Sequence, residues 1–208
     1  MSASARAVLV FAKAPRPGHA KTRLIPLLGA AGAARLQARL CEHTLGQLAQ
    51  GPWVVQLWCT PDCGQVFFQR CERRYGVSLY RQQGDGLGAR MSRALGQALQ
   101  RYRQVVIVGT DCPGLSADYV ARAFQVLDDG RQAVIGPAED GGYVLLGLRR
   151  FEPGLFNGIA WGGATVYRET LARLQGLGWS WQVLETLWDV DRPADYLRLV
   201  TAQALPSA

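Results

Sequence analysis

The chain has 208 residues, of which 49% are hydrophobic and 19% charged, a composition that suits one globular domain over residues 1–208 and excludes a disordered chain. No apolar run approaches the roughly 18 residues of a membrane span, and the first one, Ala7–Ala12, is too short for a secretion signal, so we expect a cytoplasmic protein. The net charge of +7 is uneven, since residues 1–104 hold fifteen basic and four acidic residues, whereas residues 105–208 hold eight and twelve. A basic first half favours binding of nucleic acid or phosphorylated small molecules, and an acidic second half favours binding of a metal ion.

Apolar strand-like runs and helix-like periodicity alternate along most of the chain. The predicted strands are Ala7–Phe11, Trp53–Cys59, Val77–Tyr80, Val105–Val108, Ala133–Ile135, Tyr143–Leu146 and Ser180–Leu184. The predicted helices cover about Ala30–Ala49, Val66–Arg74, Leu87–Arg101, Ser116–Leu127, Thr165–Leu174 and Pro193–Ala202.

This alternation favours an α/β sandwich with a mostly parallel sheet, because parallel strands need crossover connections that usually carry helices. After Ile135 two strands are separated by a turn too short for a helix, which predicts an antiparallel pair. Ligands of such sheets bind beyond the carboxyl ends of the strands. The loops that follow Phe11, Val108 and Ile135 are therefore the places to seek function.

The first of these loops is strongly basic. It contains both lysines of the chain together with two arginines, at Lys13, Arg16, Lys21 and Arg23. Arginine and lysine bind phosphate oxygens, so this loop predicts a phosphate-rich ligand. A P-loop is excluded because Pro15 and Ala20 stand where that motif needs glycine. The alternative is a solvent-exposed basic loop, and it applies to Arg16 more than to Lys21 or Arg23.

A glycine-rich turn precedes the third predicted helix. Its spacing, GDGLG at 84–88, differs from that of a dinucleotide-binding motif and is weak evidence alone. Gly86 and Gly88 nevertheless allow close backbone approach at a helix N-terminus, which suits a phosphate or the edge of a nucleobase.

An aspartate follows the most clearly buried strand. Asp111 could cap the next helix, but Ser116 is closer to the first apolar-periodic residue and is the better cap. Asp111 is then available to ligate a hard divalent cation that bridges substrate phosphates.

Two further acidic clusters follow. Asp189 and Asp191 alternate along an extended segment and would lie on one side of it, facing a metal together. The alternative is that Asp191 caps the last helix. Asp140 could belong to a plain turn, although Gly141 and Gly142 suggest that another group approaches the backbone closely there.

Five cysteines and two histidines show no zinc-site spacing, and we expect reduced thiols.

Several strings occur in a fixed order over nearly the whole chain: FAKAPRPGHAKTRL, GLGARM, VGTDCPGL, GPAEDGGYVLLGL, LFNGIAW and DVDRPADY. In these strings the chain resembles a bacterial family of GT-A-like transferases, formerly of unknown function. That family is labelled radical-SAM/selenodomain-associated transferase and arsenosugar-biosynthesis glycosyltransferase, and it is related to nucleotide-diphospho-sugar transferases and to guanylyltransferases.

The resemblance implies a GT-A-like three-layer sandwich that uses an activated nucleotide with Mg²⁺ or Mn²⁺. It places Lys21 and Arg23 at the nucleotide phosphates, Asp111 at the metal and Asp140 on the acceptor side. Asp189 or Asp191 would complete the metal site. We therefore expect Asp111 and Asp140 to be catalytic, and we expect Lys13, Arg16, Gly86 and Gly88 to contribute to nucleotide binding.

Two reactions remain open at this point. One is glycosyl transfer from a nucleotide-diphospho-sugar to a small hydroxyl acceptor, which the acidic acceptor side favours because carboxylates repel a phosphorylated acceptor. The other is nucleotidyl transfer to a small phosphorylated acceptor, which the basic first loop favours. A non-catalytic nucleotide-binding module is a remote third possibility. Nucleic-acid binding is disfavoured, because aromatic residues are not interleaved with the basic ones.

Overall fold

The computed structural model describes residues 5–205. Its strands are β1 Arg6–Lys13, β2 Val54–Thr60, β3 Ser78–Arg81, β4 Gln104–Val108, β5 Ala133–Pro137, β6 Tyr143–Leu148 and β7 Trp181–Val183. Its α-helices are α1 Ile25–Leu48, α2 Val66–Tyr75, α3 Gly86–Leu99, α4 Ala117–Asp128, α5 Val166–Gly176 and α6 Pro193–Thr201. None of the helices in this part of the chain is long and apolar enough to cross a membrane.

The strands form one mixed sheet in the order β3-β2-β1-β4-β6-β5-β7. Strand β6 is antiparallel to both of its neighbours, and the other pairs are parallel. The α/β class, the mostly parallel sheet and the antiparallel pair after Ile135 are thereby confirmed.

Helices cover both faces of the sheet because side chains alternate along each buried strand. In β1, Val8 and Val10 join one core with residues of α1, α2 and α4. Leu9 joins the opposite core with residues of α3 and α5. The result is the predicted three-layer sandwich.

A third, smaller core lies against α1. It packs Leu24, Leu36 and Leu40 against Val190 and against Leu199 of α6. This core fixes the segment before α6, which carries Asp189 and Asp191, close to the start of α1.

Helix α1 begins five residues earlier than predicted. Pro26 lies in its first turn, and Gly29 adopts a non-helical conformation with φ 68° that kinks the helix. The predicted start, Ala30, is the residue that directly follows this kink. The other elements agree with their predicted positions to within about three residues.

Candidate active site

The carboxylates predicted from separate loops meet at the carboxyl edge of the sheet. Asp111, Asp140, Asp189 and Asp191 line one cavity of about 350 Å³. Asp111 follows β4, Asp140 lies in the turn between β5 and β6, and the other two precede α6. The topology therefore brings together acidic residues that are up to 80 positions apart in the chain.

A buried lysine lies beneath this acidic group. The side chain of Lys21 is only 2% exposed, and its Nζ lies 2.8 Å from Asp111 Oδ1. The same Nζ donates a hydrogen bond to the Val190 carbonyl at 2.6 Å. Lys21 thus links the basic loop, the β4 loop and the segment before α6. Contact of this ammonium with a substrate phosphate remains a prediction.

The Asp189–Asp191 segment is aligned against the Asp111 loop. Val190 N donates to the Asp111 carbonyl at 2.9 Å, and the Val190 side chain is fully buried. Because Val190 points into the core, its two neighbours point towards the cavity, as the alternation predicted.

Asp189 lies in an environment that disfavours its ionised form. Burial, followed by the negative charges of Asp111 and Asp140, raises the pKa of Asp189 to about 7. Lys21 offsets only part of this effect. The four aspartates of this cavity therefore outnumber the two cations, Lys21 and Arg23, that pair with them.

Asp191 has a different surrounding. It forms an ion pair with Arg23, and the two side chains are 41% and 60% exposed. Asp191 does not cap α6, since Asp195 accepts hydrogen bonds from Asp191 N at 3.0 Å and Arg192 N at 2.7 Å. The alternative in which Asp191 is the cap is wrong, because the residue at the cap position of α6 is Arg192, whose N–H is bound by Asp195 from the first turn. Ser116, by contrast, caps α4 as predicted.

A second cavity, of about 450 Å³, adjoins the acidic one and is more basic. It is lined by Lys13, Lys21 and Arg23 together with His19 and Thr22, and it shares Asp111 and Asp191 with the acidic cavity. Arg16 is exposed and lines neither cavity. Three of the four predicted cations are therefore gathered at one place.

The glycine-rich turn forms the start of α3. Gly86 has φ 86°, and the helix begins there without a side-chain cap. Gly88 packs against the Trp161 indole, and a Cβ at this position would lie 2.1 Å from Nε1. Here the close approach comes from the protein itself; nucleotide contact by either glycine remains a prediction.

The turn after β5 also depends on close packing. A Cβ on Gly141 would lie 2.1 Å from the Ala164 carbonyl oxygen, so the predicted close approach to the backbone is confirmed. The approaching group belongs to the loop 157–165, called here the Trp161 loop. The neighbouring Glu139 faces away and binds Arg198 of α6 through two hydrogen bonds of 2.7 and 3.1 Å. Asp140 is exposed, and its Oδ1 accepts a hydrogen bond from Gly142 N at 2.8 Å.

Two features of the site were not predicted from the sequence: the apolar wall of the acidic cavity and the histidine of the basic one. Phe11, Leu87, Met91 and Tyr143 line the acidic cavity, and His19 lines the basic one. The sequence pattern places the four apolar residues in the interiors of strands and helices, where apolar residues normally form the core. Only Leu87 had a sign of a role in the site, because it lies within the glycine-rich turn.

Comparisons with known proteins agree with this fold. The family model described as "Uncharacterized protein conserved in bacteria (DUF2064)" matches residues 44–163. A structure from Desulfovibrio desulfuricans G20, provisionally named a nucleotide-diphospho-sugar transferase, is 32% identical with a TM-score of 0.87. The match covers 99% of this chain and 90% of that one. No curated protein matches the chain.

Two more distant structures share the fold. A cytidylyltransferase from Leptospira borgpetersenii is 14% identical with a TM-score of 0.61, over 98% of this chain and 88% of that one. Glucosyl-3-phosphoglycerate synthase from Mycobacterium tuberculosis, solved with Mn²⁺, UDP and glucosyl-3-phosphoglycerate, is 12% identical with a TM-score of 0.56, over 99% and 82%. The chain thus belongs to the DUF2064 family and has the fold of nucleotide-using transferases.

Proposed function

We propose that this protein is a divalent-metal-dependent glycosyltransferase that transfers a sugar from a nucleotide-diphospho-sugar to a hydroxyl acceptor. The observation that carries the proposal is the meeting of four aspartates beside a basic cavity at the carboxyl edge of the sheet. The 32% identical relative, provisionally named a nucleotide-diphospho-sugar transferase, supports the substrate class. The sequence resemblance to arsenosugar-biosynthesis glycosyltransferases favours the same reaction.

The donor set fits Mg²⁺ or Mn²⁺. Asp111 Oδ1 is buried and accepts no well-aligned hydrogen bond, although the Lys21 ammonium is close to it. The negative charges of Asp111 and Asp140 act on Asp189, and a bound cation would reduce this repulsion. Within residues 5–205 no three His, Cys, Asp or Glu side chains form a complete metal site. Two carboxylates suffice when substrate phosphates supply the remaining oxygens, as is common for Mg²⁺.

We assign metal binding to Asp111 and Asp189 rather than to Asp191, which is paired with Arg23. When bound, the metal would stabilise negative charge on the departing diphosphate. Lys21 would keep the Asp111 carboxylate in position, and Lys13 and Arg23 would bind phosphate oxygens in the basic cavity. Asp140, which lines the same cavity, would orient the acceptor hydroxyl or take its proton.

Nucleotidyl transfer is the second candidate, favoured by the basic cavity and by the fold shared with a cytidylyltransferase. We prefer sugar transfer because Asp140 and Asp189 border the space that a phosphorylated acceptor would enter, and carboxylates repel phosphate. The test incubates the protein and Mn²⁺ with nucleotide sugars and, separately, with nucleoside triphosphates. Diphosphate release from a nucleotide sugar is expected. Pyrophosphate release that needs a phosphorylated acceptor, without nucleotide-sugar turnover, would establish nucleotidyl transfer instead.

The metal assignment has its own test. Asp111→Asn should abolish the Mn²⁺-dependent rise in melting temperature with nucleotide, while the apo protein stays folded, because the amide keeps the shape and removes the charge. Asp118→Asn, an exposed change in the first turn of α4, is the matched control. A normal Mn²⁺ response in Asp111→Asn would rule out Asp111 as a metal ligand.

A further inference from the structure

The acidic cavity has a second wall that is apolar and aromatic. Phe11, Leu87, Met91, Tyr143 and Trp161 line it. Leu87 is 46% exposed although it lies inside a cleft, and Phe11 and Trp161 are partly exposed. Apolar surface left open within a cleft indicates contact with a ligand, because exposure of such groups to water is unfavourable.

Trp161 is held firmly in this wall. Its ring is nearly parallel to that of Phe156, with centroids 6.3 Å apart, and meets Tyr143 edge-on at 6.4 Å. The Glu169 carboxylate accepts hydrogen bonds from Ala160 N at 2.8 Å and Thr165 Oγ1 at 2.7 Å, which fixes the surrounding loop. Gly88 leaves the space that the indole occupies. The indole is therefore a preorganised surface.

The two walls together specify one kind of ligand. Asp140 can accept hydrogen bonds from hydroxyl groups and repels anions, while Asp111 and Asp189 would hold the metal and Arg23, a cation that lines this cavity, is paired with Asp191. A purely apolar ligand would leave the Asp140 carboxylate unmatched, and that carboxylate would repel a phosphate. A sugar ring offers C–H groups to an aromatic surface and hydroxyls to carboxylates.

We propose that this apolar wall, centred on Trp161 and Leu87, binds the C–H face of a neutral, hydroxylated sugar ring. The inference rests on the proposed function and extends it by naming the residues that contact the sugar. The ring belongs either to the nucleotide-sugar donor or to a free sugar acceptor. The cavity of about 350 Å³ has the size of a small-ligand site.

The donor arm of the test compares nucleoside diphosphates with nucleotide sugars. Binding of UDP, GDP, UDP-glucose and GDP-mannose is measured by calorimetry with Mn²⁺ for wild type, Trp161→Ala, Trp161→Phe and Leu87→Ser. For a donor sugar, Trp161→Ala should weaken nucleotide-sugar binding at least tenfold and diphosphate binding less than twofold. Trp161→Phe should retain most of the affinity. Leu87→Ser changes an exposed side chain, so it removes apolar surface without disturbing the core.

The acceptor arm uses saturation-transfer NMR with methyl hexopyranosides, with and without diphosphate, in the wild type and Trp161→Ala. Trp161-dependent saturation of the ring protons is expected if the ring is the acceptor. If the glycosides show saturation transfer but no nucleotide binds, the proposed nucleotide-sugar transferase function is rejected, whereas the binding of a sugar ring to this wall is supported. Equal losses for diphosphate and nucleotide sugar in Trp161→Ala would show that the wall contacts the nucleotide. That result, or unaltered binding of every probe in correctly folded variants, would overturn the inference, as would a failure of all sugars to bind the wild type.

Discussion

At the residue scale, Lys21 joins three separate segments of the site. Its ammonium contacts both a carboxylate and a backbone carbonyl from parts of the chain 90 and 169 residues away. A buried donor with such partners stabilises the fold, because its removal leaves the partners unsatisfied. The same ammonium lies at the edge of the basic cavity, so packing and phosphate binding are not mutually exclusive roles.

We predict that Lys21→Ala lowers the free energy of unfolding by about 1–3 kcal/mol, since it leaves the Val190 carbonyl and Asp111 without their cation. Urea denaturation measures the loss. Lys13→Ala, at the other, exposed lysine, is the control and should change stability by less than about 0.5 kcal/mol. If the two variants lose equal stability, the buried contacts of Lys21 contribute nothing to the fold.

The raised pKa of Asp189 predicts a pH dependence. The folded state favours the protonated form of Asp189. Protonation of Asp189 therefore stabilises the fold fully below the ordinary pKa of 3.8, and this stabilisation is lost as the pH rises towards 7. Without divalent metal, the free energy of unfolding should therefore fall between about pH 4 and 7, by up to roughly 4 kcal/mol in total. Asp189→Asn should lack this decline. Denaturation curves at several pH values measure it, and parallel slopes in wild type and variant would contradict the assignment.

At the scale of elements, the turn between β5 and β6 and the Trp161 loop support one another. Gly141 has φ 89° and lies under the Ala164 carbonyl, while Tyr167 N donates to the Gly141 carbonyl at 2.9 Å. The turn carries Asp140 and the loop carries Trp161, so this packing sets the separation between the acidic and aromatic walls.

Gly141→Ala should destabilise the protein by about 1–3 kcal/mol or more, because the new Cβ adds both a strained φ and a backbone clash. It should also weaken nucleotide-sugar binding. Gly176→Ala is the control, since Gly176 ends α5 with open space around its Cα. Thermal unfolding compares the two variants. A Gly141→Ala protein as stable as the Gly176→Ala protein would mean that the loop is not held here.

At the scale of the whole molecule, a single sheet connects the two large cores, and helix α1 connects the third core to one of them. The sheet residues of the two large cores alternate along the same strands, and the third core ties α6 to α1. The ion pair of Arg198 with Glu139 joins α6 to the β5–β6 turn, and the Arg198 guanidinium also lies over the Trp188 ring, in the segment before α6, at 4.3 Å. We therefore propose that residues 1–208 form one domain.

This proposal predicts one cooperative unfolding transition. Urea curves followed by far-UV circular dichroism and by tryptophan fluorescence should coincide, because disruption of either core removes support from the shared strands. Two separated midpoints would show that the chain contains independently folding units.

The sequence by itself determined the layers and most of the sheet. The central strands are apolar runs and the helices have their own periodicity, so local patterns sufficed for the α/β class and for the antiparallel pair. Local chemistry also identified the Ser116 cap and the shared orientation of Asp189 and Asp191. The kink at Gly29 was missed because a glycine of positive φ within a helix looks the same in sequence as a glycine that ends a loop.

Only the tertiary structure decided which charges are satisfied and which are available. In the sequence, Lys21 looks like the other cations of its loop and Asp191 like the nearby Asp189, but folding placed Lys21 beneath the acidic group and paired Asp191 with Arg23. Folding also brought Phe11 of β1, Leu87 and Met91 of α3, and Trp161 to one wall, although these residues come from three separate parts of the chain. Long-range packing sets these contacts, and burial changes the energy of a charge or an apolar group in ways that neighbours in sequence do not determine.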